Sequence, residues 1–192
     1  DPGVDKPDDY GEKRQTKCGN PNCPKCGGCF PYSALIDTPY GKIKIGDLTV
    51  GQMVWSYQKG VMIKCAITKK LVYGNAKIMA VEFSEGESQI RCTASHSFLT
   101  DRGYLALPKI LVGDSIVYMD ANGNESLRRV TVITDTKTRE PVFNLYTQGE
   151  HNFIVDGYVA HNFTRFRALR TVFHRLFLDG RIETSGQTAL QS

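Results

Sequence analysis

The sequence lacks several features that would assign a protein to a broad functional class. In its 192 residues no apolar run approaches the roughly 18 residues of a membrane span, and the opening DPGVDKPDDYGEK has no signal-peptide pattern. Basic residues number 24 against 20 acidic ones, and a net charge of +4 is too small to argue for nucleic acid. We therefore expect no membrane span and no nucleic-acid partner. Because the first residue is not methionine, we also expect a segment of a longer protein.

A long helical periodicity is missing from the centre of the chain. Residues 30 to 160 instead alternate short β-type runs with turn dipeptides such as GN and DG. The runs are KIKI, MVWSY, CAITKKLVY, AKIMAVEF, SQIRC, SIVYM, LRRVTVIT, VFNLYT, NFIV and YVA. With 41% hydrophobic residues the chain can form a packed core, so this pattern predicts an all-β domain.

One short pattern occurs twice. VGQMVW begins at Val50 and VGDSIV begins at Val112, 62 positions later. Each opens a predicted strand after a turn. The similarity indicates either a duplicated β unit or a chance likeness of two glycine-led strand starts.

The two ends of the chain differ from its centre. Residues 1–28 are polar and rich in Gly and Pro, which predicts a flank with little core of its own. Residues 163–192 begin with FTRFRALRTVFHRLFLDG, whose apolar residues recur at three- and four-residue steps among arginines. That spacing predicts a basic amphipathic helix ending near Gly180. We expect it to pack on its parent protein rather than on a membrane or nucleic acid.

Cysteine is not scarce, but it is unevenly placed. Four of the six cysteines (Cys18, Cys23, Cys26 and Cys29) lie within the twelve residues CGNPNCPKCGGC. A disulfide scaffold would spread them along the chain, so clustering favours metal, redox or nucleophile chemistry. One alternative is a zinc or iron–sulfur site, and a milder one is a disulfide between Cys26 and Cys29. Cys65 and Cys92 fall in predicted strands and are expected to be small buried residues.

The segment EHNFIVDGYVAHN places two histidines before an asparagine. An asparagine side chain can attack its own backbone carbonyl, form a succinimide and release the next residue. A histidine can assist by protonating the leaving nitrogen, and a second can position the side chain. His161 and His151 could serve Asn162 in this way. The alternative is an ordinary turn with structural histidines.

Two further groups could act on a bond at the other end of the same region. In CTASHSFLT, Thr93 and His96 stand three apart after a β run, which suits a turn that presents both side chains to one carbonyl. A capped turn with a solvated histidine is the alternative. At Gly28-Cys29 a cysteine opens the predicted domain, so its thiol could attack the Gly28 carbonyl and form a thioester.

Taken together, the motifs resemble those of a known family. The segments CFPYSALIDTPYGKIKIGDLTVGQMVWSY, TASHSFLT and VFNLYTQGEHNFIVDGYVAHN resemble, in order and spacing, the motifs of Hint domains (inteins, bacterial intein-like domains and hedgehog autoprocessing domains). The resemblance covers residues 29–162 and implies a horseshoe-shaped, pseudo-twofold all-β fold. It implies a nucleophilic Cys29 and activation of the Gly28–Cys29 bond by Thr93 and His96. His151, His161 and Asn162 would cut before Phe163. The implied substrate is the chain's own flanks, with no cofactor, no metal and a monomeric state.

Two residues depart from the intein pattern. Asn144 stands where inteins often have aspartate, and Phe163 stands where standard inteins have Cys, Ser or Thr to capture the thioester. In lacking this nucleophile the chain resembles the bacterial intein-like domains, and the resemblance predicts cleavage with ligation as a minor route. Cys26 is a candidate redox regulator, so the active form is expected in a reducing compartment or after reduction. The host protein, which would carry this domain between its segments, is expected to be bacterial and secreted. A cysteine-cluster zinc or redox module without self-cleavage is the alternative function.

Overall fold

The computed structural model describes residues 28–84 and 89–162. The described residues form twelve strands and one short 3₁₀ helix, Leu107–Lys109. The strands are β1 Phe30–Pro31, β2 Leu35–Thr38, β3 Gly41–Lys44, β4 Met53–Gln58, β5 Val61–Phe83, β6 Gln89–Cys92, β7 Ser97–Thr100, β8 Gly103–Ala106, β9 Ser115–Met119, β10 Glu125–Thr147, β11 Asn152–Val155 and β12 Tyr158–His161. The all-β prediction is therefore confirmed. The predicted helix in residues 163–192 lies outside the described residues.

All the strands belong to one hydrogen-bonded network. Its main path runs in the order β3-β2-β11-β12-β7-β9-β10-β5-β4, while β1 pairs with β10, β6 with β5 and β8 with β7. Strands β5 and β10 are each 23 residues long and pair antiparallel from Val130 opposite Phe83 to Thr147 opposite Ile67. Strand β1, near the start of the described residues, pairs with β10, and β12, near their end, pairs with β11, β7 and β9, so both belong to the same network.

The long strands show where the sequence prediction was wrong. CAITKKLVY and AKIMAVEF were predicted as two strands separated by a turn at Gly74-Asn75, but β5 runs through both. Tyr73 pairs with Val142 and Ala76 with Glu140, so the two residues between them form an irregularity in the ladder. A glycine inside a strand commonly marks such a bulge, because it bends the strand without ending it.

Residues 62 positions apart make equivalent contacts. β2 and β7 differ by 62 positions along their whole length, and so do β3 and β8. The Thr38 hydroxyl donates to the Gly41 carbonyl at 2.6 Å, and the Thr100 hydroxyl donates to the Gly103 carbonyl at 2.7 Å. These repeated hairpins confirm the duplicated unit and show that the VGQMVW and VGDSIV likeness is not chance.

The tight turns follow from their residues. Lys59-Gly60 and Asp156-Gly157 connect β4 to β5 and β11 to β12, and all four residues have positive φ angles between 48° and 87°. Two-residue turns of this type match the twist of the strands they join, and glycine adopts the second position without strain. The second hairpin returns the chain towards Asn162.

The main core cluster includes side chains from both copies of the repeated hairpin, such as Ile36 of β2 and Phe98 of β7. Its largest fully buried side chains include Tyr158, Phe30, Phe98 and Phe153. The Phe30 ring packs edge-on against both Phe98 and Phe153, at centroid distances of 6.3 and 5.9 Å. Because Phe30 immediately follows Cys29, this packing fixes the start of β1 in the protein interior.

Candidate active site

The first candidate junction is held on the turn that follows β6. Cys29 is 4% exposed, and its backbone N–H donates to the Thr93 hydroxyl at 2.9 Å. In return the Thr93 N–H donates to the Cys29 carbonyl, also at 2.9 Å. Thr93 therefore binds both backbone groups of the residue whose thiol would attack.

The turn itself has a counterpart in the other half of the fold. The His96 N–H donates to the Thr93 carbonyl at 3.0 Å, and 62 positions earlier the Ala34 N–H donates to the Pro31 carbonyl at 3.1 Å. The backbone geometry is thus repeated, whereas the threonine and histidine are present in one copy only. The prediction placed Thr93 and His96 in a turn, and the structure has them in one.

His96 is fully buried among aromatic rings. Its ring centroid lies 4.1 Å from that of Phe30 and 5.2 Å from that of Phe98, and its exposure is 0%. Burial lowers the pKa of His96 from 6.5 to about 3, while the Gly28 backbone opposes this change and His161 adds to it. His96 is therefore neutral at pH 7. The alternative of a solvated histidine is excluded by this burial.

Gly28 makes unusually close contact with the same histidine. A Cβ atom at position 28 would lie 2.1 Å from His96 Cα and 2.2 Å from His96 Nδ1. Distances this short leave no room for any side chain. The absence of a side chain at Gly28 is what lets His96 pack directly against the Gly28 backbone.

The second candidate junction ends the described part of the chain. Asn162 has 0% exposure, and its N–H donates to the His151 carbonyl at 2.8 Å. Its side-chain nitrogen donates to the Thr147 hydroxyl at 3.2 Å. The side-chain oxygen of Asn162 is buried without a hydrogen-bond partner within the described residues. A buried polar atom without a hydrogen-bond partner costs free energy on folding, so it needs an explanation, and a role in chemistry is one such explanation.

The two histidines of this motif occupy different positions. His161 pairs with Ser97, the residue after His96, and its ring lies edge-on to Tyr104 at 4.7 Å. His151 lies in the loop before β11 with a positive φ of 55°, and its Nδ1 is buried without a partner within the described residues. The structure therefore brings His161 close to His96, and His151 close to Asn162.

Two residues outside the predicted set support this second junction. Thr147 is 3% exposed and lies between Asn162 and Asn152, because its hydroxyl donates to the Asn152 carbonyl at 3.0 Å. Asn152 is 2% exposed, and its side chain makes three hydrogen bonds to β4. The only signal in the sequence was their position beside the histidines.

Asn144 is buried next to the first junction. It follows Phe143, which pairs with Phe30, so it lies at the strand position beside Cys29. Its side-chain oxygen accepts from the Leu145 N–H at 2.9 Å, and its exposure is 1%. The residue that departs from the usual aspartate is thus an uncharged group near the candidate nucleophile.

The cysteine cluster can be placed only in part. Cys18, Cys23 and Cys26 lie outside the described residues, as does Phe163. Cys29, Cys65 and Cys92 are buried and form no disulfide with one another. Within residues 28–84 and 89–162 no group of three or more His, Cys, Asp or Glu side chains could hold a metal ion. In the same part of the chain, no helix has the length and hydropathy of a membrane span.

Comparison with known proteins identifies the fold. No protein-family model matches the sequence, and no curated protein is significantly similar to it. Solved structures do match. The DnaB intein from Synechocystis is 22% identical with a TM-score of 0.66, covering 71% of this chain and 99% of that one. This chain has the intein fold.

Two other structures with the intein fold are similarly related. The DnaX mini-intein from Spirulina platensis is 24% identical, with a TM-score of 0.61 over 70% of this chain and 99% of its own. A bacterial intein-like domain from Clostridium thermocellum is 19% identical, with a TM-score of 0.59 over 70% of this chain and 98% of its own. In both cases the match spans nearly the whole of the solved structure.

Proposed function

We propose that residues 29–162 form a self-processing domain that acts once on the peptide bonds at its own two ends. The observation that carries this proposal is the geometry at the first junction. There the Cys29 amide is bound to Thr93 at 2.9 Å, and Gly28 contacts His96 without room for a side chain. The intein fold supports it, because it is the fold of proteins named as inteins and of an intein-like domain.

At the first junction the proposed step is an N-to-S acyl shift. The Cys29 sulfur bonds to the Gly28 carbonyl carbon, the carbon–nitrogen bond breaks, and the thiol proton passes to the Cys29 nitrogen. The Thr93 hydroxyl already contacts that nitrogen. A neutral His96 can donate an N–H to the developing oxyanion, and donors placed in advance at such a site stabilise the intermediate strongly.

At the second junction the proposed step is cyclisation of Asn162. Its side-chain nitrogen bonds to its own carbonyl carbon, the bond to the Phe163 nitrogen breaks, and one proton moves from the attacking to the leaving nitrogen. His161 is the candidate donor to the leaving nitrogen, and His151 is the candidate for holding Asn162 through its carbonyl. The products are a C-terminal succinimide and a free Phe163 amine.

Phe163 determines the proposed outcome. Its side chain has no nucleophile, so a thioester at Gly28 can be captured only by water, an added thiol or the freed amine. We therefore propose that cleavage at both ends is the main output and that splicing is a minor route. The substrate is the chain's own flanks, and the domain acts as a monomer.

The experiment is to express the chain and determine the masses of its products. Added thiol or hydroxylamine should release residues 1–28 from wild type, and Cys29→Ala should abolish that release. Cys65→Ala is the matched control, since Cys65 is also a buried cysteine but lies in β5. Thiol-induced release that persists in Cys29→Ala would contradict the assignment, and an intact chain with bound zinc would favour the metal module.

The second cut is tested in the same way. Asn162→Ala should stop release of the segment that begins at Phe163, whereas the exposed Asn122→Ala should not. Substituting His161 should slow release roughly 100-fold, the usual effect of losing a general acid. The freed domain should end in succinimide or its hydrolysis product. If wild type instead leaves an ordinary C-terminal asparagine, and Asn162→Ala releases the segment equally, a contaminating protease is responsible.

A further inference from the structure

The Thr147 hydroxyl lies between the candidate nucleophile and the backbone of β11. It contacts the Asn162 side-chain nitrogen at 3.2 Å and the Asn152 carbonyl at 3.0 Å, and all three residues are at least 97% buried. Water is therefore not available to replace either partner. Both hydrogen bonds must be made by the hydroxyl itself.

Counting protons assigns a direction to each bond. A threonine hydroxyl has one proton and two lone pairs, and a carbonyl oxygen can only accept. The single proton of Thr147 therefore goes to Asn152, and its oxygen can only accept from Asn162. If the Asn162 amide were turned over, two oxygens without a proton between them would face each other. This fixes the Asn162 nitrogen towards Thr147 and leaves its oxygen in the buried position without a partner.

The acceptor that holds the Thr147 proton is itself held rigidly. The Asn152 side-chain oxygen accepts from the Ser56 hydroxyl and the Tyr57 N–H, each at 2.7 Å, and its nitrogen donates to the Tyr57 carbonyl at 2.9 Å. These bonds connect β11 to β4 across the fold. The Thr147 lone pairs therefore point at Asn162 from a fixed frame.

We propose that Thr147 is a further residue of the second junction, which orients and activates the attacking nitrogen of Asn162; this inference rests on the proposed function. When the nitrogen bonds to the Asn162 carbonyl carbon, it gains positive charge and its N–H groups become stronger donors. The hydrogen bond to Thr147 is then stronger in the transition state than in the resting chain. Only such differential interactions accelerate a chemical step. The proton lost by this nitrogen ends on the Phe163 amine, so Thr147 is unchanged at the end.

The test uses Thr147→Val, which keeps the shape of the side chain and removes the hydroxyl. Release of the segment beginning at Phe163 should slow about 10-fold, the effect of losing one hydrogen bond to a reacting atom. Thr147→Ser keeps the hydroxyl and should stay within about threefold of wild type. Thr134→Val, at an exposed position of the same strand, is the matched control and should not change the rate. Thiol-induced release at Gly28–Cys29, measured in the same samples, reports an intact fold.

The results separate this inference from the proposed function. Unchanged release in Thr147→Val, with no release in Asn162→Ala, would overturn the role of Thr147 alone. Equal slowing in Thr147→Val and Thr147→Ser, with the upstream cut intact, would also overturn it, because the hydroxyl would not be the cause. If Thr147→Val loses both cuts, the test depends on Thr147→Ser. Release of the segment beginning at Phe163 that is more than 10-fold slower in Thr147→Ser than in wild type would then refute the inference. Continued release in Asn162→Ala would overturn the proposed function itself.

Discussion

Replacing His96 with leucine should flatten the dependence of folding stability on acid pH. The folded-state pKa of about 3 lies below the ordinary value of 6.5, so protons bind the unfolded chain first as the pH falls. The contribution of neutral His96 to the free energy of unfolding is therefore fully present above pH 6.5 and is lost as the pH falls towards 3. At about 1.4 kcal/mol for each pKa unit, the whole interval amounts to about 5 kcal/mol. Between pH 7 and pH 4 about 3 kcal/mol of this should be lost.

The measurement needs a chain that does not cut itself, so both proteins carry Cys29→Ala and Asn162→Ala. Urea unfolding followed through the single tryptophan, Trp55, gives the free energy of unfolding at each pH. Titrating groups that do not interact with His96, such as the partly buried Asp37 with its raised pKa, act equally in both proteins and cancel in the difference. If the two curves run parallel from pH 7 to pH 4, His96 is not held neutral, and a neutral donor at the first junction is wrong.

Two further predictions concern residues outside the described part of the chain. Phe163→Cys should raise the spliced fraction seen by mass spectrometry, because it supplies the missing nucleophile; the freed amine of wild type, with a pKa near 8, is only about one-tenth to one-fifth unprotonated at pH 7. Nearly complete splicing by wild type would refute this. A disulfide between Cys26 and Cys29 would block the nucleophile, so wild type should show no thiol-independent cleavage at Gly28–Cys29 in oxidising buffer. Cys26→Ser should show this cleavage in oxidising and reducing buffers alike. Identical responses of the two proteins would exclude the redox control, leaving a remnant metal site as the alternative for the cluster.

The fold could be predicted where a strand carries its own pattern. SIVYM and NFIV match β9 and β11 residue for residue, because apolar and β-branched residues between turns suit a buried strand. The four-residue strands β2, β7 and β8 were missed. LIDT and SFLT end in threonines whose hydroxyls donate to the carbonyls of Gly41 and Gly103. These hydrogen bonds form only when the partner strand is in place, so the short segments alone did not indicate strands.

The site was predictable in its residue types but not in its environment. Cys29, Thr93 and His96 formed one predicted group, and the structure places them together, although their roles remain predictions. The burial of His96 could not be foreseen, because Phe30 and Phe98 reach it from different strands. Thr147 was missed for a similar reason: its partners become specific only when β10, β11 and β12 are assembled.

The contact between Gly28 and His96 has a consequence for where such a domain can be placed. Any side chain at position 28 would collide with the His96 backbone, at 2.1 Å, and not only with a movable ring. If residues 29–162 act as proposed, a host protein that supplies any residue other than glycine immediately before Cys29 would displace His96 from the bond it would activate. Transfer of this domain into a new host protein would then favour sites that end in glycine at the upstream boundary.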